Sequence, residues 1–203
     1  MRRACDLPLV LALSAVLAGC KSHPLTDYRP LDQAGMWSSS MQDLKKLNVS
    51  DAEIVQLVSL KNAGVGDDMC VALVQAAHDH QHPFASATSA ANLNHAGFSD
   101  DQILAIAHND QLDSLSGDAV MLRLVGLSDP TVQMILQRRM KGNTTMSSAE
   151  IGRLKNTGLS EKEIVARIQS GMTDAQADAE AATREKARAH SGTGLVRVRG
   201  RRR

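Results

Sequence analysis

Aromatic side chains make up only 2% of this 203-residue chain, and Tyr28, Trp37, Phe84 and Phe98 are all of them. Sugar platforms and single-stranded nucleic-acid grooves work by stacking, so this shortage argues against both. Net charge is also missing: 23 basic side chains face 22 acidic ones, which leaves no electrostatic footprint for nucleic acid. No window alternates apolar and polar residues as a half-buried strand would. There is no glycine-rich phosphate loop and no Ser/His/Asp spacing, and no paired carboxylates fall where a cleft is expected. Those absences argue against an enzyme. Cysteine is scarce, with only Cys5, Cys20 and Cys70 present.

The amino terminus reads "MRRACDLPLVLALSAVLAGCKS". Arg2 and Arg3 precede a short apolar run, Leu7 to Ala18, too short for a membrane span of about 20 residues. This is the pattern of a secretory signal, to be left out of the fold. Leu17-Ala18-Gly19-Cys20 resembles the lipobox of bacterial lipoproteins. The resemblance implies lipidation of the Cys20 thiol and cleavage after Gly19. Several acyl chains on one cysteine anchor stably where a single chain binds only marginally. Lys21 follows; under the enterobacterial sorting rule a residue other than Asp there favours the outer membrane. Cys5 then leaves with the signal at residues 1–19, Cys20 carries lipid, and Cys70 has no partner for a disulfide.

What the chain has in quantity is one short phrase. Five segments align without gaps: "LKKLNVSDAEI" from 44, "LKNAGVGDDMC" from 60, "LNHAGFSDDQI" from 93, "LRLVGLSDPTV" from 122 and "LKNTGLSEKEI" from 154. Asn48, Gly64, Gly97, Gly126 and Gly158 suit the left-handed position that ends a helix, with the Leu four before and the apolar residue after touching in a Schellman motif. Ser50, Ser99, Ser128 and Ser160 sit where the next helix needs a cap. Glu53, Gln102 and Glu163 complete capping boxes. Asp51, Asp67, Asp100, Asp129 and Glu161 fall in the first turn, where the helix dipole favours negative charge, and the dipole is the only role this pattern gives them.

The phrase therefore predicts a helix, a three-residue corner and another helix. Helices are expected near 37–47, 51–63, 67–80, 87–96, 100–109, 115–125, 129–141, 147–157 and 161–171. The fold class is all-α, an array or bundle of short helical hairpins whose faces are buried by stacking. Residues 20–35 read as a flexible tether from lipidated Cys20, residues 36–172 as the hairpin domain, and residues 173–203 as an Ala- and charge-rich, exposed or frayed helix with a disordered Arg-rich tail. Arg197, Arg199, Arg201, Arg202 and Arg203 in that tail could meet anionic lipid.

The corner resembles the helical hairpin of SHOCT-type modules in bacterial envelope proteins, which implies interaction or oligomerisation rather than catalysis. It also resembles the DNA-binding helix-turn-helix. That family usually carries Ala four before the Gly, whereas all five copies here carry Leu. Its second helix presents basic and amide side chains to the bases; here Asp67, Asp68, Asp100, Asp101 and Glu161 would face phosphate.

"HDHQHP" places His78, His80 and His82 close together. His78 and His82 are four apart, as in helical metal pairs, so a Zn²⁺ or Cu²⁺ site is a candidate. The same pattern suits a polar helix end. Cys70 aligns with Ile54, Ile103, Val132 and Ile164, the place of a small core hydrophobe. The reading that emerges is a lipid-anchored envelope protein, on the periplasmic side of the outer membrane, acting as a non-catalytic scaffold for a protein partner. The alternative is a periplasmic metal-binding lipoprotein using the three histidines.

Overall fold

The computed structural model describes residues 26–143 and 146–192. Among them are eleven helices and no strand: α1 (Arg29–Gln33), α2 (Ser38–Lys46), α3 (Asp51–Asn62), α4 (Asp67–Asp79), α5 (Ala87–His95), α6 (Asp100–Ala107), α7 (Leu112–Leu124), α8 (Asp129–Met140), α9 (Ser148–Asn156), α10 (Glu161–Gln169) and α11 (Asp174–Gly192). The protein is all-α, a bundle of adjacent helix pairs. The signal sequence, Cys20 and the five terminal arginines lie outside the described residues.

The corners form as their residues dictate. Asn48, Gly64, Gly97, Gly126 and Gly158 all have positive φ, from 54° at Asn48 to 92° at Gly158. In each, the amide of the following apolar residue donates to the carbonyl of the Leu five before it, as Val65 does to Leu60 at 3.0 Å and Phe98 to Leu93 at 3.1 Å. These are the paired bonds that satisfy carbonyls left open at a helix end. Leu44, Leu60, Leu93, Leu122 and Leu154 are fully buried, and the apolar residue after each corner is buried with them. Ser50, Ser99 and Ser160 cap their helices in complete capping boxes with Glu53, Gln102 and Glu163. Cys70 is fully buried, and burial pushes its thiol up to about 12, so it stays a protonated hydrophobe.

Two further corners follow the same rule. "LDQAGMWSSSM" from 31 turns at Gly35, and "RIQSGMTDAQA" from 167 turns at Gly171. The first has Trp37 in the cap position and no acid; the second has Arg167 where the others have Leu. Both keep the Schellman bond, Met36 to Leu31 and Met172 to Arg167, each 3.0 Å. The connections after α4 and α6 also close through left-handed residues, Gln81 and Asp110. That is why α6 ends at Ala107 and α7 begins at Leu112, tightening a connection the sequence suggested was a loop.

Both ends of the fold reach further than expected. Residues 26–35 belong to it rather than to a tether: Leu31 is fully buried, the Thr26 hydroxyl donates to the Val49 carbonyl at 3.1 Å, and the Asp27 amide donates to Asp51. At the other end α11 packs on α9 through Ala177 and Ala181, both fully buried. Methyl side chains let the two helices approach closely, so no large apolar residue is needed there. Arg153 of α9 pairs with Asp178 and Glu185 across the same junction, and Arg167 of α10 pairs with Glu180 of α11.

Packing follows chain order. α1, α3, α5, α7, α9 and α11 each rest on the next of that series. α2 rests on α4 and α4 on α6, while α3–α4, α5–α6, α7–α8 and α9–α10 join the two series. α7 thus lies between α5 and α9.

Candidate functional site

Three acids of the repeated phrase, Asp51, Asp67 and Glu161, and Asp174 after the corner at Gly171 do more than meet their own helix dipole. Asp67, first residue of α4, accepts the Trp37 amide at the cap of α2, 2.7 Å away, and pairs with Lys61. Glu161, first residue of α10, accepts the Ser128 hydroxyl, the Thr131 hydroxyl and the Ser128 amide at the start of α8. Asp174, first residue of α11, accepts the Ser147 amide at the start of α9, 2.7 Å away. Asp51 does the same for the chain entering α1. Each reaches the start of a helix two back in the chain, so these four acids clamp together helices two apart. The Ser128 side chain accepts no amide of its own helix; its hydroxyl and amide donate to Glu161 instead.

Glu53 is the most enclosed of these carboxylates. One oxygen accepts the Ser50 amide and hydroxyl, both at 2.8 Å; the other accepts His78 Nε2 at 2.7 Å and the Phe84 amide at 2.9 Å. Burial alone would raise its pKa, but these donors outweigh burial and hold it below the ordinary glutamate value. The Ser128 and Thr131 hydroxyls lower Glu161 likewise. At Asp67 burial opposes the shift, and the Lys61 ammonium with the Trp37 amide overcomes it. A carboxylate with a depressed folded pKa contributes stability that is present above its unfolded value and lost as pH falls through the folded one. The urea midpoint should therefore hold down to roughly pH 4.3, the ordinary glutamate value, and fall steeply below it. A midpoint unchanged at pH 3 would contradict the network.

The expected role of Glu161 as a dipole partner alone is corrected by this geometry. Glu161→Gln removes the ionised acceptor of two hydroxyls and an amide and should cost about 1 kcal/mol, read as a shift in the urea midpoint.

The three histidines are taken up separately. His78, in the last turn of α4, serves Glu53. His80 Nε2 lies 3.0 Å from the His108 carbonyl, and His82 Nε2 lies 2.7 Å from Asp110 Oδ1. His78 lies within α4 and faces α3, whereas His80 and His82 lie beyond the helix end, around the left-handed Gln81, and face the end of α6. Among the described residues no group of three His, Cys, Asp or Glu side chains comes together to hold a metal ion. The Pro83 carbonyl and Asp110 flank both ring nitrogens of His82 and raise its pKa. Beside it a cavity of about 180 Å³, lined by Leu73, Phe84, Leu112 and Asp113 among others, opens between α4 and α7. Asp113 is already engaged by the Ser86 and Ser89 hydroxyls, at 2.9 and 2.6 Å.

A different feature stands out on α7. Leu124 is 76% exposed and Met121 48%, on one stripe of the helix. An open hollow flanks the stripe on each side. Towards α5 the lining includes Asn92, His95, Ala96, Ser116 and Gly117, and towards α9 it includes Ala149, Gly152, Arg153 and Asn156. These two large apolar side chains share one stripe rimmed by amides and small residues. Trp37 and Val55 are exposed too, but at the cap of α2 and on α3. The sequence alone did not single out Met121 or Leu124; the one signal available was a glycine, Gly117, in the middle of a helix.

Comparison of the chain with protein-family models, with curated protein sequences and with solved structures finds no significant match. No described helix is long and apolar enough to cross a membrane.

Proposed function

We propose that this protein is a lipid-anchored, non-catalytic scaffold of the bacterial envelope that holds a protein partner against the α5–α7–α9 face. One observation carries the reading: the only two large, exposed apolar residues on a shared helical stripe among the described residues, Met121 and Leu124, stand between two hollows on the outside of the array. Glu53, Asp67, Glu161 and Asp174 are all occupied in joining helix ends, and no catalytic residue is assigned. Anchoring rests on Leu17-Ala18-Gly19-Cys20, with the periplasmic side of the outer membrane as the proposed location and the arginines from 197 to 203 as a secondary contact with anionic lipid.

Two experiments test this. Cys20→Ser should leave the chain without acyl groups and release it from the membrane fraction; wild-type protein lacking acyl chains by mass spectrometry contradicts the anchoring. For the scaffold, cross-linking in intact cells followed by isolation should capture a defined protein with the wild-type chain and lose it with Leu124→Arg. Capture unaltered by that substitution would place the interaction elsewhere, and no capture from either chain would remove the scaffold reading.

A further inference from the structure

Gly117 sits in the interior of α7, where glycine is unfavourable relative to alanine because it restricts an otherwise free backbone. Nothing inside the molecule requires it. A Cβ built there would meet no atom within 4 Å, and Gly117 has no positive φ. Gly152 on α9 is the contrasting case: a Cβ there would press on the Val125 side chain at 3.2 Å, so packing accounts for that glycine. Gly117 is exposed, and it shares its stripe with Met121 and Leu124 at i, i+4 and i+7. The stripe therefore runs from a hole at Gly117 to a knob at Leu124.

We propose that this face is where two copies of the chain meet, with α7 packed antiparallel against α7 of the second copy. The inference rests on the scaffold reading and names the partner. A two-fold axis beside Met121 exchanges the ends of the stripe, so each copy's Leu124 lies over the other's Gly117. One surface then supplies both halves of the contact, as a two-fold interface requires. Gly117 lets the backbones approach, and the hollow towards α5, about 610 Å³ and lined by Ala96, Ser116 and Val120, receives the incoming leucine.

Charge points the same way. The one Lys or Arg lining either hollow is Arg153, and Asp178 and Glu185 already neutralise it. No Asp or Glu lines them. A lining with no carboxylate and no unpaired Lys or Arg lets the face meet its own copy without repulsion between those groups.

The test uses the full chain in its membrane. Cys70 is buried, so in Met121→Cys the new thiol lies next to the axis and is the accessible one once Cys20 carries lipid. A mild oxidant should then give a disulfide-linked dimer on a non-reducing gel. Gln133→Cys, exposed on α8, should not. Adding Gly117→Leu to Met121→Cys fills the hole and should lower the dimer yield at least tenfold, with the thermal melt of the single Gly117→Leu variant retained because a Cβ at 117 meets no atom within 4 Å and the residue is exposed. No dimer from Met121→Cys, an equal yield from Gln133→Cys, or a yield indifferent to Gly117→Leu would each overturn the proposal. Cross-linking of position 121 to a different protein would overturn the second copy while leaving the scaffold reading intact; no cross-link of any kind would remove both.

Discussion

Glu53→Ala should destabilise the protein by about 3 kcal/mol or more. The substitution removes the acceptor of four donors at once: the Ser50 amide and hydroxyl, His78 Nε2 and the Phe84 amide. Hydrogen bonds to a charged group contribute roughly 1.5–3 kcal/mol each, and a buried donor left without a partner costs about 1–3 kcal/mol. The Phe84 bond is buried, so water does not readily replace the lost oxygen. Glu53→Gln should fall between wild type and Glu53→Ala. Its carbonyl can still accept the Phe84 amide, but its NH₂ then faces the Ser50 amide, donor against donor. Urea unfolding of the three proteins checks the order. Glu53→Ala unfolding within 0.5 kcal/mol of wild type, the usual range of a plain surface change, would show that the carboxylate does not tie α3 to the α4–α5 connection.

The second large effect contrasts two leucines. Leu154→Ala should cost about 2–5 kcal/mol, the range for truncating a fully buried leucine, because the Leu154 side chain is fully buried beneath the corner at Gly158. Leu124→Ala, on the exposed stripe of α7, should stay within about 0.5 kcal/mol. Both are leucines in the last turn of helices that end in the same kind of corner, so helix propensity affects them alike and burial accounts for the difference. Gly158→Val should fall between them. A branched side chain at φ of 92° is strained whatever space surrounds it, and its Cβ would also displace the Arg188 guanidinium.

The corners were legible in the sequence because their chemistry is local. A left-handed residue, a leucine four before it and a capping serine all act within a dozen residues, and each position recurs in five copies. The corners at Gly35 and Gly171 escaped because Trp37 and Arg167 replace the two most diagnostic residues, although the Gly-Met step and the later Met41 or Ala177 keep the register. Capping by Asp67, Glu161 and Asp174 was not legible. Each acid satisfies its own helix dipole, and only the placement of helices two apart shows the amide it also accepts. The histidines misled for the opposite reason: their spacing is local, but α4 ends at Asp79, and the left-handed Gln81 takes His82 off the face of the helix from which His78 reaches Glu53. The α7 face was hidden because both sides of "LDSLSGDAVMLRL" carry apolar residues, and nothing in the string says which side α5 and α9 cover.

A photoreactive side chain at position 121, compared with one at position 133 in intact cells, tests the central claim that the corners build the array and the α7 stripe does its work. The account predicts a discrete cross-linked product from 121 and none from 133, with both variants unfolding in urea like wild type. A product from 133 alone, or none from either position, would contradict it.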